Sequence, residues 1–276
     1  MSRRVEHIMG MPVVMDVRDP AVPAAAVDDA FGWLRWVDET FSTYNVDSEV
    51  TRLNRGELAE ADCHPAVREV LAACRALRER TGGAFDAEAA ARMPAVRHRL
   101  AEAWRDDAVE PAGYVKGWAV AGAWERLSKA GARNAMIEAG GDMILRGRPA
   151  PGRRWRVGIQ HPDGDAALAA VLELADLAVA TSGTYRRGDH IVDPSTGRPP
   201  GGVRSVTCVG RDIAIADAFA TAAYAMGAEG AEWVARQPEV EALVIGDDGF
   251  MRFTPGFDAL RADSASSQVD LTVAQA

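Results

Sequence analysis

The sequence predicts an α+β protein, a mixed sheet with flanking helices. Three observations predict it. Helical periodicity dominates the first third, strand-like runs crowd the chain from Ala135 onward, and the two kinds of element do not alternate strictly as a doubly wound parallel sheet requires.

A short strand is expected around Pro12 to Val17. Val27, Phe31, Leu34, Val37 and Phe41 then recur at helical spacing and define one apolar face. Ser48 followed by Glu49 opens a second short helix through Asn54. Pro65, suited to a first helical turn, opens a third that ends near Thr81-Gly82-Gly83. A further helical pattern runs from Lys116 to Lys129 and closes at Gly131. Strand-like runs follow at Ala135 to Glu138, Arg154 to Gln160, Val171 to Ala175, Val203 to Val209 and Val240 to Ile245. Between the last two lies the Ala-rich stretch Ile213 to Met226, helical in composition and ended by Gly227. No composition shift marks a linker, so residues 1–262 are expected to form a single domain, with 263–276 a frayed, Ala-rich tail.

The 276 residues, 48% hydrophobic and 26% charged, suffice for a large core. A formal net charge of -9 argues against a nucleic-acid partner, which calls for a basic face, and favours a multivalent cation. Cys63, Cys74 and Cys208 have neither the number nor the spacing of a disulfide framework or a zinc site, and are read as reduced, buried thiols. No membrane span is expected, because no run of about 18 apolar residues occurs. The opening MSRRVEHIMGMPVVMDV lacks the apolar core of an export signal, and a cytoplasmic location is expected.

Several clusters can carry chemistry. ADAFATAAYAMG places Asp217 and Thr221 four apart on a helix, so their oxygens share one face, as a hard cation such as magnesium requires; the same pair also occurs as ordinary helix residues. TSGTYRRGDHIVDPSTGRP gathers hydroxyls and His190 on a loop. His190 reads either as a general base at a pocket rim or as a structural hydrogen-bonder. EAGGD has paired glycines after a strand, open to close approach or to a tight turn. Gly113 and Gly117 flank Lys116 at a helix start that favours phosphate, although no Walker A pattern is present. Tyr44 and Phe85 offer aromatic surfaces, and Asp86 a carboxylate beside Gly82-Gly83. No GxGxxG, HExxH, GxSxG or CxxC motif occurs.

Taken in order, MGM at 9–11, FSTYNVDSEV at 41–50, GGAFD at 82–86, GYVKGWAV at 113–120, EAGGD at 138–142, WRVGIQHP at 155–162, TSGTYRRGDHIVDPSTGRP at 181–199 and ADAFATAAYAMG at 216–227 resemble the ApbE family of FAD:protein FMN transferases. The resemblance implies a T-fold-like α+β architecture that holds FAD as substrate with Mg2+ at its pyrophosphate. It implies transfer of FMN to a Ser or Thr hydroxyl of an acceptor flavoprotein, with release of AMP. Metal ligands carry over to Asp217, Thr221 and a main-chain oxygen near Gly113. Flavin-nucleotide contacts carry over to Met9, Tyr44, Ala84, Phe85, Asp86, Glu110, Lys116 and Ile191, and activation of the acceptor hydroxyl to His190. Glu110 stands where the family usually has Asp, Pro111-Ala112 where a Gly-containing pair is common, and Ala121 where Asp is frequent. Two other readings remain: an FAD pyrophosphatase, against which the aromatic Tyr44 argues, and a non-catalytic flavin-binding protein, against which the joint presence of Asp217, Thr221 and His190 argues.

Overall fold

In a computed structural model of the chain, the described residues are 2–92, 104–164, 167–183, 191–262 and 271–274. Strands β1 (Ser2–Ile8) and β2 (Met11–Val17) form a hairpin whose two-residue turn, Met9 and Gly10, takes φ of 55° and 70°. Both values are positive, the geometry that matches the twist of a tight hairpin; for a methionine it is uncommon. β3 (Ala135–Ala139) and β4 (Asp142–Arg146) repeat the device through Gly140 and Gly141, with φ of 58° and 98°. With β7 (Leu177–Gly183), β8 (Ser205–Gly210), β9 (Val240–Ile245) and β10 (Met251–Phe253) they make an antiparallel eight-stranded sheet, ordered β1-β2-β3-β4-β7-β8-β9-β10. β5 (Trp155–Gln160) pairs with β6 (Leu168–Leu174) in a separate three-stranded sheet. Its third member is β11, Leu271–Ala274, which lies parallel to β5. Part of the segment expected to fray is therefore a strand. Its Leu-Thr-Val-Ala run, too short to stand out in the sequence, gains a ladder from β5.

Helices cover one face of the large sheet. α1 (Ala24–Phe41) buries Val27, Phe31, Leu34, Val37 and Phe41, the five positions expected from their spacing. Ser48 caps α2 (Glu49–Asn54) by accepting from Thr51 N at 3.0 Å, and Pro65 is the first residue of α3 (Pro65–Arg80). α4 (Ala87–Arg92) is a short turn. α5 (Ala112–Lys129) begins four residues before the expected start, behind Pro111. α6 (Ile213–Ala225) agrees closely with the Ala-rich stretch, and α7 (Gly230–Ala235) follows it.

Both faces of the central strands are buried. Val13, Met15, Ile137, Ile144, Ala180 and Cys208 join the core under the helices. Val14, Met136, Met143, Leu145, Val179 and Val209 join the core beneath the small sheet. Strands buried on two sides lose the alternation of apolar and polar residues, so β4 and β7 carry no period-2 signal. The remaining strands absent from the sequence reading, β1 and β10, lie at the two opposite edges of the sheet; β10 is exposed, and β1 alternates exposed with half-buried residues.

Candidate functional site

The site arises where α5 and α6 cross. A Cβ on Gly117 would lie 2.7 Å from Ala214 Cα and 2.8 Å from the Ile213 carbonyl oxygen, so only glycine permits this approach. It brings Gly117 N within 3.2 Å of Asp217 Oδ2, to which it donates. One turn further along, a Cβ on Gly113 would lie 3.6 Å from Thr221 Cγ2 and 3.2 Å from the Phe85 ring. Gly113, Asp217 and Thr221, expected together from sequence, do lie along one helix crossing.

Lys116 projects from α5 into the same region. Its Nζ stands 2.7 Å from Asp142 Oδ2 and 3.6 Å from Asp217 Oδ1. Asp142 is the first residue of β4 and shares the helix-facing side of that strand with Ile144. Its Oδ1 accepts from Thr181 N at 3.1 Å. Asp142 is 0% exposed and Asp217 3%, so two carboxylates and one ammonium share a space that water barely reaches. Burial pushes the Asp217 carboxyl well above its ordinary range, Lys116 opposes that shift and Asp142 adds to it. Lys116 and Lys129 are the only lysines in the chain.

Two hydroxyls complete the cluster. Ser182 Oγ lies 3.3 Å from Thr221 Oγ1, and beneath them Thr181 Oγ1 meets Thr207 Oγ1 at 3.0 Å. The donors of Asp217, Asp142, Thr221 and Ser182 are all oxygens, and one ammonium against two carboxylates leaves a formal negative charge. That combination fits a hard divalent cation such as magnesium. No group of three or more His, Cys, Asp or Glu side chains able to hold a metal occurs among the described residues. Among the described residues two carboxylates, Asp217 and Asp142, face this place, with hydroxyls beside them. This suits magnesium, which keeps several positions for water and substrate phosphate.

A second wall is built around Glu110. Its Oε2 accepts from Thr43 Oγ1 at 2.6 Å, its Oε1 accepts from Ala112 N at 3.2 Å, and its own N–H donates to the Ala87 carbonyl at 2.8 Å. The Glu110 carboxylate thereby ties the loop after α1 to the start of α5, and its backbone reaches α4. Tyr44, next to Thr43, is 69% exposed. Phe85 is buried, Ala84 packs partly against the helical core, and Phe85 N donates to Thr81 Oγ1 at 2.9 Å. Asp86 caps α4, accepting from Glu88 N at 2.9 Å and Ala89 N at 3.0 Å, and pairs with Arg78 at 3.0 Å. Its carboxylate is engaged with the protein's own donors.

Met9 sits at the tip of the β1–β2 hairpin, where its N–H donates to Asp38 Oδ2 at 3.1 Å. Its left-handed conformation costs of order 1 kcal/mol or more, and strain of this kind concentrates at binding sites. Ile191 packs partly buried against the helical core. His190 lies outside the described residues.

One participant carried no role in the sequence reading, Asp142; Ser182 stood among the polar groups of the TSGTYRRGDHIVDPSTGRP cluster, expected on a loop, and lies at the end of β7. A signal for Asp142 existed: a carboxylate opening the apolar run Met143-Ile144-Leu145, where burial obliges it to find a partner.

The fold and the site define an α+β protein with a buried, anionic oxygen cluster between two glycine-spaced helices at the end of an antiparallel sheet. Residues 9–108 and 93–244 match the ApbE family, and the chain belongs to that family. The FAD:protein FMN transferase of Vibrio cholerae serotype O1 is 37% identical over 150 residues, which are 50% of this chain and 45% of that protein. The FAD:protein FMN transferase of Rhodobacter capsulatus is 38% identical over 151 residues, 51% of this chain and 29% of that protein. The matched stretches thus span less than half the length of these relatives. The solved flavin transferase ApbE from Vibrio cholerae superposes with a TM-score of 0.80 at 26% identity, covering 94% of this chain and 98% of that one. The ApbE protein of Thermotoga maritima gives 0.80 at 23% identity, covering 95% and 99%, a likeness of fold. No helix among the described residues is long and apolar enough to cross a membrane.

Proposed function

We propose that this chain is a magnesium-dependent flavinyl transferase: it takes FAD as substrate, transfers the FMN half to a Ser or Thr hydroxyl of an acceptor protein and releases AMP. The observation that carries this reading is the buried set of Asp217, Asp142 and Thr221 around Lys116, in a chain whose relatives bear the name FAD:protein FMN transferase.

Asp217 and Thr221, with the Gly113 main chain beside them, would hold the cation. Bound there, magnesium supplies neutralisation of diphosphate charge. The chain's own groups do the rest. Lys116, held by Asp142, presents an ammonium at the same place and offsets charge that grows on the departing AMP oxygen. Tyr44, Met9 and Ala84 offer surface for the flavin half, the buried Phe85 ring backs it, and Glu110 and Asp86 fix the loops that present it. Ile191 follows His190, to which we assign removal of the acceptor hydroxyl proton. Displacement at phosphorus is then chiefly a matter of positioning.

The test is incubation with FAD, magnesium and a candidate acceptor peptide, followed by mass spectrometry of the peptide. A covalent FMN adduct that disappears in Asp217→Asn is expected. Formation of only free FMN and AMP would replace transfer by hydrolysis. Turnover unchanged by Asp217→Asn would remove the metal reading.

A further inference from the structure

The transfer chemistry leaves one bond of the Asp217 cluster without a role. Ser182 lies near the end of β7 and Thr221 within α6, and their hydroxyl oxygens stand 3.3 Å apart. Either can donate, so the two hydroxyls share a single proton in this bond. Ser182 sits opposite Val206 of β8 and, two residues beyond Ala180, on the helix-facing side of β7. α6 packs on this strand through small residues such as the fully buried Ala218 and Ala222, which lets a side chain as short as serine reach the helix from the sheet. Thr181, the preceding residue, fixes the strand: its N–H donates to Asp142 Oδ1 at 3.1 Å and its hydroxyl meets Thr207 Oγ1 at 3.0 Å.

A helical threonine commonly returns its hydroxyl proton to the carbonyl four residues back, which for Thr221 is that of Asp217. Among the described residues the partner of the Thr221 hydroxyl is Ser182 instead. The difference bears on metal binding. A hydroxyl carries one proton and two lone pairs. To ligate a cation it must turn a lone pair inward, and its proton then needs an acceptor on the side away from the ion. Ser182 Oγ stands at the right distance, and at 6% exposure the residue leaves water little access to take its place. Without Ser182 the proton falls back on the Asp217 carbonyl, and the lone pairs turn with it.

We propose that Ser182 is a positioning residue of the transfer reaction: it accepts the Thr221 hydroxyl proton and so holds the Thr221 lone pairs toward the cation. Contacts that orient a metal ligand in this way are worth about 10–100-fold in metal affinity. The inference rests on the assignment of Asp217 and Thr221 to magnesium.

The test uses the full chain, stripped with EDTA and mixed with FAD but no acceptor, and titrated with MgCl2 while the anisotropy of flavin fluorescence reports FAD binding. In Ser182→Ala the magnesium half-point should rise about ten-fold, with FAD affinity recovered at saturating magnesium. Thr221→Val should raise the half-point as well. Adding Ser182→Ala to Thr221→Val should then change it by less than about two-fold, because Ser182 acts through Thr221. A bond that merely clamps α6 to β7 would lower the thermal melt in EDTA and leave the half-point where it was. That outcome, or full additivity in the double variant, overturns the proposal. Should Ser182→Ala melt too low to assay, Ser182→Cys, whose sulfur is a weak acceptor, carries the same expectation. A half-point unmoved by Asp217→Asn would remove the cation assignment and this proposal with it. One moved by Asp217→Asn and Thr221→Val but not by Ser182→Ala would remove the role of Ser182 alone.

Discussion

Replacing Lys116 by methionine tests the electrostatic construction of the site. The substitution keeps most of the side-chain volume and removes one charge, leaving Asp142 and Asp217, at 0% and 3% exposure, without the ammonium that stands 2.7 and 3.6 Å from them. Removing one partner of a buried ion pair costs about 3–5 kcal/mol, because the remaining charge is left uncompensated in a medium of low polarity. At about 2–4 °C per kcal/mol for a chain of this size, Tm falls by roughly 6–20 °C. Urea denaturation and thermal melting of the wild type, Lys116→Met, Asp142→Asn and the double variant measure it. Lys116→Met/Asp142→Asn should recover part of the loss, with a coupling of about 1–3 kcal/mol between the two positions. Magnesium should raise the Tm of Lys116→Met, since a cation at the two carboxylates takes over part of the lost compensation. A loss below about 1 kcal/mol in Lys116→Met, with no coupling to Asp142, would refute a buried ion pair at the centre of the site.

Gly117→Ala should lose about 1–3 kcal/mol despite the roughly 1 kcal/mol gained in helix propensity, because its Cβ would meet backbone atoms of α6; a variant as stable as the wild type in urea would contradict the close crossing. Asp217→Asn should abolish magnesium-dependent flavin transfer while raising or preserving thermal stability, since it removes a buried charge; a melt lowered by several degrees would mean that the carboxylate is needed for folding. Asp19 is partly desolvated, which raises its carboxyl. Bonds donated by Arg133 N, Asn134 N and Asn134 Nδ2 more than offset this and hold it below the ordinary range. A lowered folded value stabilises above the unfolded value of about 3.9 and is lost as pH falls through the folded one. The stability gap between the wild type and Asp19→Asn should therefore hold at neutral pH and narrow below about pH 4; a gap that widens on acidification would reverse the sign.

The local signals in this sequence were strong where one residue and its near neighbours settle the structure. The spacing of Val27, Phe31, Leu34, Val37 and Phe41 specified the buried face of α1, Ser48 and Pro65 marked helix starts, and the order of the motif blocks pointed to the family. Asp217 and Thr221 were legible as a pair because a helix places residues four apart on one face. The partners of that pair were decided only in three dimensions. Asp142 lies 75 positions from Asp217, and what joins them is the approach of α5 to α6 at Gly117, which no local pattern encodes. The buried strands β4 and β7 escaped for a related reason: apolar on both faces, they take their identity from the two layers that cover them. The sequence by itself determined the longer helices, the Ser48 cap and the chemical repertoire, because those depend on neighbours along the chain, while the six-residue helices α4 and α7 are too short to show a period. The tertiary structure decided which charges face one another, because burial and Coulomb interaction depend on distance in space.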